Sequence, residues 1–354
     1  MSDIEIVNCH IHTFTAAHVP RNFPFPLARL FRKSPHLVRA LAGLARMLGQ
    51  HPTADTLDRL YRFVEESGHK HQRELLELVK RHYPYNTRFV VLPMDMEGVG
   101  FGRPQAGLKA QHDELAALAR HPDHEGTVIP FATVNPAHAG SVDEGLRAIR
   151  ELGFEGLKIY PRLGFAPDHP DLMRDVYPEM QARGLPVMTH CSRGGAQGRH
   201  VCDYKADQYT RPFAYKEVMR AFPDMRLCLA HFGGQKDWRA YANGEVLPAK
   251  ENWQRQIRHM IGSGEWPNLW TDISYTLFHF DDYIPFLRLF LLDESEEGER
   301  LRRRVLFGSD YYMTRQESLS EKAVCFRLRN ALGEEVFRQI AEKNPVEWLT
   351  GRTA

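Results

Sequence analysis

The sequence predicts an α/β fold, a (β/α)8 barrel with a long helical insertion after strand 1, and three observations carry that expectation. Short apolar or β-branched runs recur along the 354 residues, longer segments with helical spacing separate most of them, and histidines or an aspartate stand at the ends of several runs. The runs are Ile4 to Cys9, Arg88 to Met94, Thr127 to Thr133, Gly156 to Tyr160, Pro186 to His190, Arg226 to His231, Leu269 to Ile273 and Val305 to Asp310. Helical segments such as Ser141 to Leu152 and Leu172 to Arg183 each end near a glycine able to serve as a C-cap. A doubly wound open sheet is the competing architecture. No Gly-rich dinucleotide fingerprint follows the first run to support it.

Two connections depart from the repeating unit. About seventy residues separate His12 from Arg88, far more than an ordinary strand-to-helix connection holds. No acidic residue occurs from Ile6 to Ala54, whereas Arg21, Arg29, Arg32, Lys33, Arg39 and Arg46 are basic. Leu27, Leu30, Phe31, Leu37, Val38, Leu41, Leu44 and Leu48 then suggest basic amphipathic helices, with a further helix or two over Leu57 to His82. A lid that draws in anionic substrates, a helix for a partner or membrane surface, and a solvated insertion packed on the barrel all fit this pattern. The second departure is an irregular connection from Phe232 to Asn268, where Trp238, Trp253 and Trp266 are candidates for a wall of the barrel mouth. The charged run from Asp293 to Arg304 reads as a solvated helix. One barrel domain, residues 1–354, with the insertion at about 13–86, accounts for the whole pattern.

Composition narrows the function. Hydrophobic residues at 43% and charged residues at 26% are the balance of a soluble globular protein. A formal net charge of +1 gives no electrostatic case for nucleic acid. No run approaches a membrane span, and the N-terminus lacks the basic and apolar regions of a secretory signal. Five cysteines without paired short spacings point to a reducing, cytoplasmic setting rather than a disulfide framework.

The chemistry gathers at the strand ends. His10 and His12 share a face of an extended strand, because residues i and i+2 project together. Lys158 sits within strand four, His190 ends strand five, His231 ends strand six and Asp310 ends strand eight. Each is unremarkable alone, since a strand-end histidine is more often a hydrogen-bonded structural residue and an aspartate after Gly-Ser is commonly a turn residue. Together they occupy the one face where such a barrel collects its active site. Imidazoles and a carboxylate suit a borderline divalent ion, with a position left for water. Cys9 and Cys191 neighbour two of these histidines, and strand alternation is expected to turn both away from the metal face. Arg162, Arg193 and Lys205 follow strands four and five and are candidates to hold a substrate carboxylate, with a plain surface arginine the rival reading for Arg162.

The sequence resembles the amidohydrolase superfamily, in particular the amidohydrolase-related branch that includes aminocarboxymuconate semialdehyde decarboxylase and its hydrolytic relatives. The resembling pieces are Asn8 to His12, Gly156 to Pro161, Leu185 to His190, Leu229 to Gly234, Leu306 to Tyr311 and Asn344 to Leu349. The resemblance implies a TIM barrel holding one divalent metal, Zn2+ first with Mn2+ or Fe2+ as alternatives, on His10, His12, His190 and Asp310. It implies His231 as a second-metal ligand or as the residue that orients water and polarises the substrate carbonyl, and Asp310 as the proton carrier. A lysine at the place of Lys158 is, in binuclear relatives, carboxylated to bridge two ions; the mononuclear character of this branch favours a single metal, with Lys158, Arg162 and Arg193 toward the substrate. A small-molecule substrate follows, anionic ones included, and dimers are common in the family.

The expected activity is hydrolysis of a small carbonyl compound, an amide, lactone or ester, by metal-activated water. Nonoxidative decarboxylation of an unsaturated or aromatic acid is the alternative from the same site. A barrel that binds without catalysing is a third possibility, and the set of four ligands with His231 speaks against it.

Overall fold

A computed structural model of the chain describes residues 4–23, 34–245, 251–274, 280–311 and 321–353. Its strands are β1 (Val7–Ile11), β2 (Arg88–Val91), β3 (Val128–Val134), β4 (Gly156–Ile159), β5 (Val187–Ser192), β6 (Leu227–Gly233), β7 (Leu269–Asp272) and β8 (Val305–Leu306). They pair in parallel, in sequence order from β1 to β8. β8 returns to β1 through backbone bonds from Cys9 to the Phe307 carbonyl (2.9 Å) and from Asp310 to the His10 carbonyl (2.8 Å), with a parallel bridge between Ile11 and Tyr311. Every expected strand is present; β1 runs to Ile11, two residues past the expected Cys9, with His10 inside it, and β8 stops at Leu306, so that Asp310 lies four residues beyond its end instead of ending it.

Two hydrophobic clusters hold the barrel together. Helices and the outward side chains of the strands form the larger one, including Ile11, Leu157, Val187, Leu229 and Phe307. Inward side chains such as Val7, Val90, Phe131, Met188 and Trp270 form the other, with Trp348 from the helix Asn344–Thr350 packed among them. β4 begins with a glycine for a steric reason: a Cβ on Gly156 would lie 2.3 Å from the Phe131 ring.

Cys9 corrects the simple alternation. It belongs to the interior cluster with Val7, although His10, its neighbour, also faces the barrel axis. The pairing of β1 with β2 shifts between Asn8 and Ile11, and such an irregularity lets consecutive side chains share a face. Cys191 follows the expected pattern and packs in the outer cluster.

Three helices, Pro35–Met47, His51–Ser67 and Gln72–Lys80, fill the described part of the connection between β1 and β2. The first two pack against each other, and two of the basic residues are used there: Arg46 pairs with Asp58 and Arg39 lies 5.7 Å over the Tyr61 ring. The third buries Leu75, Leu76 and Val79. Leu27, Arg29, Leu30, Phe31, Arg32 and Lys33 lie outside the described residues. The connection after β6 is more regular than expected: its described residues include the helices Gln235–Ala242 and Trp253–Gly262, whose Trp238 and Trp253 are buried. No described helix is long and apolar enough to cross a membrane.

Candidate metal centre

Asn8 organises the seam where β8 meets β1. Its amide donates to Tyr83 Oη (3.0 Å) and Ser309 Oγ (2.9 Å), and its carbonyl oxygen accepts from the backbone of His10 and Ser309. One buried side chain thus ties the strand carrying the histidines to the segment carrying Asp310. Gly308 lets the two approach, since a Cβ there would lie 2.8 Å from that of His10.

Both β1 histidines are oriented by their Nδ1 atoms. His12 Nδ1 lies 2.8 Å from the Leu92 carbonyl, which can only accept, so Nδ1 carries the proton and Nε2 a lone pair. His10 Nδ1 lies 2.7 Å from Asp272 Oδ2 and is fixed the same way. The free Nε2 atoms converge on Asp310 Oδ1, at 3.1 Å from His12 and 3.6 Å from His10. His10, His12 and Asp310 each offer a ligand atom within 4.8 Å of the others, and all three are buried. His10 Nε2 has no hydrogen-bond partner among the described residues. A nitrogen lone pair and a carboxylate oxygen 3.1 Å apart repel unless something positive lies with them, a proton or a metal ion. The donor set fits a divalent ion, and the Asp272–His10 contact is the outer-shell arrangement that orients a ligating imidazole.

Asp272 and Ser274 are the members of this buried polar network that sequence reasoning missed. Asp272 ends β7 and also accepts from the backbone of His231 (2.8 Å) and from Ser274 Oγ (2.5 Å). Because Ser274 donates to Asp272, its oxygen accepts from His231 Nδ1 at 2.9 Å. His231 Nε2 then accepts from His190 Nδ1 at 3.0 Å, and His190 Nε2 lies 3.1 Å from Ser192 Oγ and 3.3 Å from the Gly194 carbonyl. From His190 Nδ1 through His231 and Ser274 the donors run in one direction, ending on the Asp272 carboxylate. The available signal was position alone, since Asp272 is the last residue of β7 and Asp310 follows β8 by four residues at the same mouth of the barrel.

Of the four residues expected to ligate a metal, the structure brings His10, His12 and Asp310 together. His190 stands beside them through His231, its ring stacked on Tyr160 at 4.2 Å between centroids. His231 is also grouped with His10 and Asp272 as possible ligands. Among the described non-glycine residues, positive φ occurs at His231 (68°), Phe232 (44°) and Asp310 (60°). Each such residue costs about 1–3 kcal/mol, and two of the three are the expected catalytic side chains. At His231 the left-handed turn lets the imidazole face the barrel axis directly after Ala230.

Burial sets the electrostatics. The His10 imidazole is pushed down to about 3, first by desolvation and then by the Lys158 charge. Burial also lowers His190, assisted by His231. Burial would raise Asp310 and Asp272, but the histidines around them outweigh it and hold both below the usual carboxylate range. Lys158 is brought down to about 8 by burial, against the opposing pull of Asp272 and Asp310. Its ammonium group is 2% exposed as a residue and has no hydrogen-bond partner among the described residues.

The arginines are placed differently from Lys158. Arg162 is buried rather than a plain surface residue, and its guanidinium donates to Asp207 (2.5 Å) and Gln197 (2.9 Å), with Asp203 at 3.3 Å. Arg193 donates to Asp237 (3.0 Å), Asp207 (3.3 Å) and the Glu251 carbonyl (2.7 Å), and stacks 4.4 Å over Trp253. Both charges are therefore matched by carboxylates distant in sequence. Lys205 lies 5.0 Å over the Tyr209 ring.

Three solved structures show the fold relationship. 5-Carboxyvanillate decarboxylase LigW from Sphingomonas paucimobilis aligns over 98% of this chain and 99% of its own, at 16% identity and a TM-score of 0.54. A probable 2-pyrone-4,6-dicarboxylic acid hydrolase from Acinetobacter baumannii, solved with citric acid, aligns over 99% and 100%, at 14% identity and 0.54. A 5-carboxyvanillate decarboxylase from Novosphingobium aromaticivorans, solved with manganese and 3-methoxy-4-hydroxy-5-nitrobenzoic acid, aligns over 98% and 97%, at 13% identity and 0.53. Such low identities speak to the fold alone. No curated protein matches the sequence. Residues 7–350, nearly the whole chain, match the sequence profile described as Amidohydrolase. The chain belongs to the amidohydrolase family, a family of enzymes.

Proposed function

We propose that the protein is a metal-dependent hydrolase of a small carbonyl compound, an amide, lactone or ester. The observation that carries the proposal is the convergence of two imidazole lone pairs and a carboxylate at the β1–β8 seam, with His10 Nε2 unsatisfied. His10, His12 and Asp310 would hold one divalent ion with His190 as the fourth ligand, and Zn2+, Mn2+ and Fe2+ all accept such nitrogen and oxygen donors. When bound, the ion supplies Lewis acidity, polarising a carbonyl and making water acidic enough to ionise near neutral pH. Asp310 takes the water proton on its carboxylate and returns it to the leaving group. His231, held through Nδ1 by Ser274, would polarise the substrate carbonyl from Nε2 once that nitrogen carries a proton and His190 turns from it to the ion. Lys158 offers the substrate a buried positive charge, which favours anionic substrates. Arg162 and Arg193 would reach a substrate carboxylate only by exchanging Asp207 or Asp237 for it.

A second reading, nonoxidative decarboxylation of an aromatic or unsaturated acid, is favoured by the same Lys158, whose ammonium has no hydrogen-bond partner among the described residues and suits a carboxylate-bearing substrate. Protein loaded separately with Zn2+, Mn2+ and Fe2+ is incubated with panels of lactones, esters, amides and aromatic acids, following acid release and CO2 release in parallel. Acid release that falls at least about 1000-fold in Asp310→Asn supports hydrolysis. CO2 release without hydrolysis replaces it with the second reading. Two metal equivalents per chain, with one lost in Lys158→Ala, would overturn the single-ion site.

A further inference from the structure

Away from the strand ends, the helices Gln235–Ala242, Trp253–Gly262, Phe280–Leu291 and Glu296–Arg302 border a cleft of about 880 Å3 on the outer wall of the barrel. None of its lining residues belongs to the metal centre. Its floor is aromatic: Tyr241 meets Phe290 edge-on with ring centroids 5.5 Å apart. Arg258 lies 4.3 Å over the Phe290 ring and 5.7 Å over Tyr241, while Arg255 lies 5.2 Å over Tyr241. Arg288 lines the same cleft, and none of the three arginines has a carboxylate within ion-pair distance among the described residues.

The stacking determines what remains available. A guanidinium whose Cζ sits over a ring keeps N–H groups at its rim, and two of these match the two oxygens of a carboxylate, sulfonate or phosphate. The rings hold Arg255 and Arg258 in place before any anion arrives, so little side-chain freedom is lost on binding. Asp293 and Glu297 also line the cleft, and Asp293 accepts from the Ser295 backbone at 2.9 Å. Three arginines against two carboxylates leave the cleft positive. Leu289, 64% exposed, and Leu292, 40% exposed, add apolar surface at the rim. A volume of this size falls within the roughly 300–1,000 Å3 that small-molecule sites occupy.

We propose that this cleft is a second binding site, separate from the barrel mouth, for a small organic anion with a flat apolar body. The anionic group bonds the open edges of Arg255, Arg258 and Arg288, and the apolar body lies along Leu289 and the aromatic floor. The inference does not depend on the proposed hydrolase activity.

Isothermal titration of the metal-loaded protein with 2-naphthoate tests it, with uncharged 2-naphthalenemethanol and inorganic phosphate as the single-feature probes. The expected result is a saturable 2-naphthoate site that weakens at least tenfold in Arg255→Gln/Arg258→Gln and persists in His10→Ala. Arg288→Gln, a change at an exposed position, weakens it severalfold and provides the test if the double variant fails to fold. Both probes that carry one feature bind at least tenfold more weakly than 2-naphthoate. Absence of binding up to millimolar 2-naphthoate, loss in His10→Ala with retention in the arginine variants, or equal affinity for either single-feature probe would overturn the proposal.

Discussion

The two ends of the barrel interior are built from the same strands and obey opposite rules. Towards one end, Val7, Val90, Phe131 and Trp270 pack around Trp348, which is fully buried and stands 5.5 Å from the Phe131 ring. At the other, His10, His12, Lys158, His190, His231, Asp272 and Asp310 are all buried as well, yet polar. The apolar layer satisfies packing and leaves little chemistry. Among the described residues, the polar layer retains a His10 nitrogen and a Lys158 ammonium without hydrogen-bond partners, and left-handed backbone at His231 and Asp310. Burial of this kind opposes stability unless a ligand completes it, so the cost of the site is carried by the rest of the fold.

Three variants sharpen that contrast. The largest expected effect is on stability at the apolar end: Trp348→Ala removes a buried indole and should cost about 3–5 kcal/mol in denaturant unfolding, while the folded fraction keeps its metal affinity. Equal loss of metal affinity would show that the two layers are not separable. At the polar end, Asp272→Asn removes the charged acceptor from His10 and should weaken metal binding by about 10–100-fold with a small change in melting temperature. A melting temperature that falls as far as in Trp348→Ala, with metal affinity intact, would reassign Asp272 to the scaffold.

The smallest effect belongs to the outer helices, which neither layer includes. Burial would raise the Glu144 carboxyl, but hydrogen bonds from His112 and Arg147 outweigh it and hold the group at about 2. A folded-state value below the ordinary 4.5 means that Glu144 stabilises fully above that pH and loses its contribution as pH falls towards 2. Glu144→Gln should flatten the melting-temperature profile over that acid range by a few degrees and leave neutral-pH metal binding unchanged. An unaltered acid profile would count against the ion pair as a source of stability.

Local pattern carried the strands and most of the candidate site. Each of the eight runs became a strand because short apolar stretches between helical segments can be buried on both faces only in a parallel sheet covered by helices. His10, His12, His190, His231 and Asp310 were legible because a barrel sends the ends of its strands to one place. Asp272 was hidden in Leu269 to Ile273, where nothing local distinguishes a ligand-orienting carboxylate from a turn residue. Cys9 was misplaced because the irregular pairing after Asn8 depends on β2, eighty residues away. Arg162 and Arg193 read as free cations until Asp207 and Asp237 arrived from helices that no spacing rule connects to them.

By itself, then, the sequence determined the barrel, the order of its strands and the face on which its chemistry would lie, since these follow from periodicity along one chain. The tertiary structure decided which groups are already paired and which are left open. Pairing depends on distances of a few ångströms between residues such as His10 and Asp272, 262 positions apart, and only the closed barrel sets those distances.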